Sequence, residues 1–228
     1  MVRPKRDQQH PNLQAAIKET AREQIAERGA AALSLRAIAR ELSITAPAIY
    51  NYYPSRDDLV TALIVDAYHS LAAALAAARD AEQGSHVERI IASASAYRNW
   101  ALAYPAEYSL IFGTPIPGYE APMEITGPAA AASMSVLIQV LDDAYQDGKL
   151  APGELAPARV EMLQPWTEKM GYAGPPGIIH LALASWAQIH GLVSLEIFGH
   201  LTPAPEYGDV YPFFEIEIQS MMARMGIE

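Results

Sequence analysis

Few side chains in this 228-residue sequence could do chemistry, and their spacing separates one kind of chemistry from another. His180, His190 and His200 stand ten residues apart. That interval turns a helix well off one face, so the three do not close on one metal ion. Glu196 and His200 lie one helical turn apart, but two ligands do not make a metal site. Asp142-Asp143 is an isolated acidic pair and reads as solvated helix surface. Cysteine is absent, which excludes disulfides, thiolate zinc sites, iron–sulfur ligation and a cysteine nucleophile. The sequence has no G-x-S-x-G, no H-E-x-x-H and no phosphate-binding glycine loop. No catalytic residue, metal or cofactor is expected. Trp186 and His190 share a helix face and read as a structural histidine beneath a tryptophan.

The remaining chemistry is recognition of a polyanion. Residues 1–56 hold nine Lys/Arg against five acids (+4), and residues 57–228 hold seven against 21 (−14), within a net charge of −10. A small basic head on a large acidic body points to a polyanion met by the head alone. Two short helical patterns joined by Ser43-Ile44-Thr45 lie in that head and fit a helix-turn-helix. A base-reading helix must be narrow to enter a major groove about 12 Å wide. Ala46, Pro47 and Ala48 are small enough to bring backbone to the bases, and Tyr50, Asn51 and Tyr52 offer polar groups one turn on. Ile49 and Tyr53 form a buried i, i+4 pair, which turns Tyr50 outward toward phosphate. Arg3, Lys5 and Arg6 are expected in a flexible basic arm, residues 1–10.

The elements that must position these groups read as helices. Apolar residues make up 51% of the chain and charged ones 18%, enough for a core and too few charges for global disorder. Leu13, Ile17, Ala21 and Ile25 recur at four-residue spacing, with Gly29 as a C-terminal cap. Ser34 caps a helix over 35–42, and Thr45 caps one from Ala46 to about Tyr53, with Pro47 in its first turn. Pro54 ends it, and Ser55 caps the next, with Asp57 and Asp58 at its positive end. Further helices are predicted over roughly 56–82, 85–103, 127–148, 154–170, 176–199 and 209–226, separated in the later part by proline and glycine clusters, among them 113–128. Strand signals are nearly absent. The uncharged run Gly171–Leu195 contains Pro175, Pro176, His180, Gln188 and His190 and reads as a buried helix, not a membrane span. The N-terminus has no apolar stretch of the secretory kind, so a cytoplasmic protein is expected. The fold class is all-α: a three-helix head bearing a helix-turn-helix, and a larger helical body.

The stretch SLRAIARELSITAPAIYNYYPSRDDLV resembles the DNA-binding domain of tetracycline-repressor (TetR) family transcription regulators, over roughly Leu13 to His69. Ser43 stands where the family usually has glycine in the turn, and Tyr53 where it usually has phenylalanine. The resemblance implies DNA contacts from Thr45, Ala46, Pro47, Tyr50, Asn51 and Tyr52, with Arg36 and Arg56 at positions that touch phosphates or a base edge. It implies residues 11–71 as the DNA-binding domain, with the motif over 34–53, and 72–228 as an effector-binding and dimerisation domain. Trp186-x3-His190-Gly191-Leu192-Val193-Ser194-Leu195-Glu196 is similar to the Trp-His-Gly signature of one class of such bodies.

Leu183, Trp186, Gly191, Phe214, Ile218 and Met222 are the residues expected at an isologous homodimer interface, with Gly191 permitting close approach. Trp100, Tyr104, Tyr108, Phe112, Met134, Leu137, Tyr145, Trp166, Tyr172 and His190 are candidates to line a pocket for an apolar or aromatic effector, with the loop over 113–128 at its mouth. The function implied is a homodimeric repressor that binds a pseudo-palindromic duplex operator and leaves it when a small effector binds. The alternatives are a small helical enzyme or a protein-binding adaptor without DNA.

Overall fold

The computed structural model describes residues 12–201 and 209–227, so the basic arm, with Arg3, Lys5 and Arg6, lies outside the described residues. Every regular element among the described residues is helical. Helix α1 (Leu13–Arg28) starts where the Asn12 side chain accepts from the Ala15 amide at 3.1 Å, and stops at Gly29, whose φ of 77° suits glycine. Ile17, Ala21 and Ile25 point inward as their spacing predicts. A 3₁₀ turn (Ala30–Ala32) leads to α2 (Leu35–Glu41), capped by Ser34 Oγ accepting from the Ala37 amide at 3.3 Å.

The turn after α2 places Ser43 at φ 55°, the one left-handed non-glycine residue described. Helix α3 (Ala46–Tyr50) is shorter than predicted. Pro54 disfavours helical backbone at Tyr53, and the helix closes with Asn51 as its C-cap. Helix α4 (Arg56–Ala81) begins at Ser55, whose hydroxyl accepts from the Asp58 amide at 3.1 Å.

Next come α5 (His86–Ala103), α6 (Pro105–Phe112), α7 (Met123–Gln146), α8 (Pro157–Met170), α9 (Pro176–Ile197) and α10 (Tyr211–Met225). Helix α6 has no counterpart in the sequence reading, although Pro105 in its first turn is a start signal. Helix α7 begins at Met123 and runs through Gly127-Pro128, where a break is predicted. Pro128 removes a single intrahelical bond near the start of a long helix, which the remaining turns tolerate.

The chain divides into two compact units. The first takes the chain up to Ala67 and adds Tyr104–Gly127; the second holds Tyr68–Ala103 and the chain from Pro128 onward. The chain passes between the two units three times: within α4, at the α5–α6 junction and within α7.

Helices α4, α7 and α9 are long and apolar enough to cross a membrane by length and composition. Helix α9 instead packs on α5, α8 and α10 and buries Ile178, Ile179, Ala182, Ile189 and Val193. The core of the second unit encloses one guanidinium. Arg98 on α5, 6% exposed, donates from Nε and Nη2 to the two carboxylate oxygens of Glu196 at 2.7 and 2.5 Å, and from Nη2 to Asp209 at 2.9 Å. It also lies 5.3 Å from the Tyr211 ring centroid. A buried charge survives only with such pairing.

The two departures from the family pattern both carry a cost. Ser43 holds a backbone conformation that favours glycine, and Tyr53 is 4% exposed with a buried hydroxyl that has no hydrogen-bond partner among the described residues. Tyr53→Phe is expected to stabilise by about 1 kcal/mol, raising Tm by roughly 2–4 °C in a thermal melt. Ser43→Gly is expected to stabilise by up to about 1 kcal/mol, and Ser43→Val to destabilise by about 1–2 kcal/mol.

Candidate nucleic-acid interface

The recognition helix is held by its inner side. Ile49 is fully buried and Tyr53 nearly so, among Ile17, Leu35, Ile38 and Leu59 of the same unit's core. The turn is tied by the Ser43 amide to the Arg40 carbonyl at 3.1 Å and the Ile44 amide to the Ala39 carbonyl at 2.9 Å. With one side fixed, Thr45, Pro47, Tyr50, Asn51 and Tyr52 are exposed and Ala46 is half-buried. Tyr50 is 41% and Tyr52 46% exposed, high for aromatic residues and opposite to the burial of their neighbours Ile49 and Tyr53. Thr45 occupies the N-cap position without a side-chain capping bond, so its hydroxyl is not spent on the helix as the sequence pattern predicts.

The cations of the head fall into two classes that the charge count does not separate. Lys18 and Arg22 both bond Asp66, at 2.8 and 3.0 Å, and Arg22 also reaches Glu19 at 3.1 Å. Arg28 pairs with Glu27 at 3.2 Å. Arg56, expected to meet DNA, instead donates from Nη2 to the Ala30 carbonyl at 3.0 Å. Arg36 and Arg40 are exposed, one turn apart on α2, and have no ion pair among the described residues. Arg40 was not singled out from the sequence, though its i, i+4 spacing from Arg36 is the signal that finds it.

Two family descriptions match this chain: bacterial regulatory proteins of the tetR family over residues 17–63, and the tetracyclin repressor-like C-terminal domain over residues 90–221. A regulator of the HTH type from Mycobacterium tuberculosis strain H37Rv is 35% identical over 198 residues, covering 86% of this chain and 85% of that protein. This chain belongs to the TetR family. A Mycobacterium bovis regulator matches to the same extent, at 35% identity over 198 residues. The solved structure of SCO4313, named as a regulatory protein, is 37% identical, covers 96% of this chain and 98% of its own, and superposes with a TM-score of 0.78. A Rhodococcus sp. RHA1 protein of unknown function shares the fold at 23% identity and a TM-score of 0.75. The TetR-family chain is a DNA-binding transcription regulator and not an enzyme.

The residues expected to line a pocket in this TetR-family regulator fall in both units. Tyr104, Tyr108 and Phe112 belong to the first unit; Trp100, Met134, Leu137, Tyr145, Trp166, Tyr172 and His190 belong to the second. Tyr108 is fully buried against Phe112 at 5.2 Å, whereas Tyr104 is 48% exposed. Trp166 is 40% exposed on α8, with the Lys169 ammonium 5.8 Å from its ring centroid, so it lines the surface. Trp100 is buried and donates to Ser70 Oγ at 3.0 Å. Tyr172 donates to Asp142, and burial together with that carboxylate pushes its phenol pKa up. Met134, Leu137 and Tyr145 are half-buried on α7. The loop expected at the pocket mouth is tied within the first unit by a hydrogen bond between Tyr119 and Thr61 at 2.9 Å.

His190 sits as the sequence suggests, stacked on Trp186 with centroids 5.1 Å apart. Its Nδ1 meets the Tyr97 hydroxyl at 2.8 Å and its Nε2 the Ser194 hydroxyl at 3.4 Å.

The expected dimer residues divide as well. Phe214, Ile218 and Met222 are buried inside their own chain, so they cannot present a face to a partner. Leu183, Trp186 and Gly191 are half-buried. The large apolar residues left outside on these two helices are Leu195, Phe213 and Ile216, at 45%, 46% and 57% exposure. Sequence alone could not tell which apolar side of α10 faces its own core.

Tyr50→Ala is expected to weaken operator binding at least tenfold with helical content unchanged, and Arg36→Gln and Arg40→Gln each to lower the salt slope of binding by about one. Anisotropy titrations at two salt concentrations check all three. Burial lowers the His190 pKa below its ordinary 6.5. The unfolded chain then binds more protons, so the stability from neutral His190 is full above that value and falls with acidification. Melts at about pH 7.5 and about pH 5.5 are expected to diverge for the native chain and to converge for His190→Gln.

Proposed function

We propose that this regulator is a homodimeric one-component repressor, working in the cytoplasm on a pseudo-palindromic operator that it leaves when a small apolar or aromatic molecule binds its body. The observation that carries the DNA side is the exposed row Thr45, Pro47, Tyr50, Asn51 and Tyr52 with uncommitted Arg36 and Arg40 beside it. One such row reads one half-site. Two copies related by a two-fold axis set their recognition helices about 34–36 Å apart, in successive major grooves.

The dimer reading is supported by the outer faces of α9 and α10. Ala184, Ala187, Gly191 and Leu195 follow one another along α9 at helical spacing, and Phe213 and Ile216 stand out on α10. A Cβ built at Gly191 meets nothing within 4 Å of its own chain. That gap costs the single chain nothing and suits close approach by a second copy.

The effector reading is supported by the half-buried Met134, Leu137, Tyr145 and Trp186 and by the hydroxyl–imidazole pair Tyr97–His190, an apolar setting with a few fixed polar groups. An effector that binds better to a conformer with wrongly spaced heads shifts the population off DNA. The coupling runs through the three chain crossings in α4, α5–α6 and α7.

Anisotropy on tiled DNA from around the protein's own gene tests the operator. Specific binding at about 10⁻⁸ M or tighter on one tile is expected, and uniform, salt-erased binding on every tile argues against the reading. Because a Cβ at position 191 meets open space in the single chain, Gly191→Leu is expected to weaken the dimer in analytical ultracentrifugation with no loss of helicity. An unaltered dimer removes Gly191 from the interface.

A further inference from the structure

Arg56 occupies a position where the sequence pattern implies a DNA contact, yet its guanidinium is turned into the protein. Its side chain is 28% exposed. Nη2 donates to the Ala30 carbonyl at 3.0 Å and the Ala31 carbonyl at 3.4 Å. Nε is buried with no hydrogen-bond partner among the described residues, and Nη1 stands 3.6 Å from the Asp57 carboxylate. A guanidinium seated this way meets a phosphate only through Nη1, which already faces the Asp57 carboxylate. Nη2 is shared between two carbonyls, Nη1 faces an anion, and Nε points where solvent does not reach.

The place of this contact in the chain gives it meaning. Ala30 and Arg56 are 26 residues apart, and the whole helix-turn-helix lies between them: the Ser34 cap, α2, the turn at Ser43, α3 and the exit at Pro54. In the 3₁₀ turn (Ala30–Ala32) the Ala30 carbonyl accepts from the Leu33 amide at 3.3 Å, and a turn this short leaves its carbonyls room for a further donor. Arg56, the first residue of α4, supplies it. The contact closes the two ends of the reading segment on each other. That limits the segment's freedom before DNA arrives, and the ordering of a loop of this length is a cost that binding would otherwise bear.

We propose that Arg56 is a positioning residue: by bridging Ala30 and Ala31 to the first turn of α4 it closes the helix-turn-helix segment at both ends and fixes the pose of α3 for operator reading, without itself touching DNA. The proposal rests on the DNA-binding activity of the family and not on the repressor or dimer readings.

The test compares Arg56→Met, which removes charge and donors, with Arg56→Lys, which keeps the charge and loses the planar fork. Both are measured by anisotropy on a DNA tile bound by the native protein and on a scrambled duplex of equal length, at a temperature where each variant has native helical content. The positioning role predicts that both variants lose roughly tenfold in affinity for the tile and little for the scrambled duplex, with the salt slope of the native protein. A role limited to stability would lower Tm and leave the affinity of folded protein unchanged, and that result overturns the proposal. A phosphate contact would lower the slope by about one in Arg56→Met and be rescued by Arg56→Lys, which also overturns it. Hydrogen exchange of residues 29–34 in the DNA-free protein gives a readout independent of any operator. Faster exchange in both variants is expected, and unchanged exchange rejects the clamp.

Discussion

A helix of five residues has no stability of its own in water, because too few backbone bonds form to offset the ordering of its first turn. The recognition helix Ala46–Tyr50 therefore exists only because Ile49 is locked in the core of the head and Tyr53 follows it in. This burial is the condition for everything that faces DNA. It sets which side of the helix is outward and so gives Tyr50 and Tyr52 an exposure that no aromatic pair would otherwise keep. The Ser34 cap, the strained Ser43 and the contact of Arg56 with the 3₁₀ turn all act on the same short stretch.

The body solves a different problem, which is to hold long apolar helices in one arrangement. Apolar packing alone is permissive about register. Arg98 is not, since a guanidinium at 6% exposure must find Glu196 on α9 and Asp209 just ahead of α10 at fixed geometry. The Tyr97–His190–Trp186 group adds a second polar anchor between α5 and α9. Neither anchor is strong evidence of stability, but together they specify which faces of α5, α9 and α10 meet.

The head was legible because its signals are local. Caps at Ser34 and Ser55 and the Ile49/Tyr53 pair are read from neighbours along the chain, and the structure places each as the pattern predicts. What failed depended on distant partners. Arg56 looks like a surface cation until Ala30 and Ala31 are seen beside it, and Lys18 and Arg22 count as free charge until Asp66 is found 48 and 44 residues away. In the body, Phe213 and Phe214 are adjacent and chemically alike, yet one is half exposed and the other buried. Helix α10 is apolar on more than one side, so periodicity cannot rank the sides. Helix α6 escaped because its eight residues, Pro105 included, make too few turns to show a helical period.

The commitment of Lys18 and Arg22 to Asp66 has a kinetic meaning. Sliding along random genomic DNA is driven by cations available to any phosphate, and the described part of this head keeps few of them while the chain as a whole carries a charge of −10. Encounters with the wrong sequence are then brief. Pairing Lys18 and Arg22 inside the head thus lowers the part of DNA affinity that carries no sequence information and leaves the part that depends on the fit of the recognition helix.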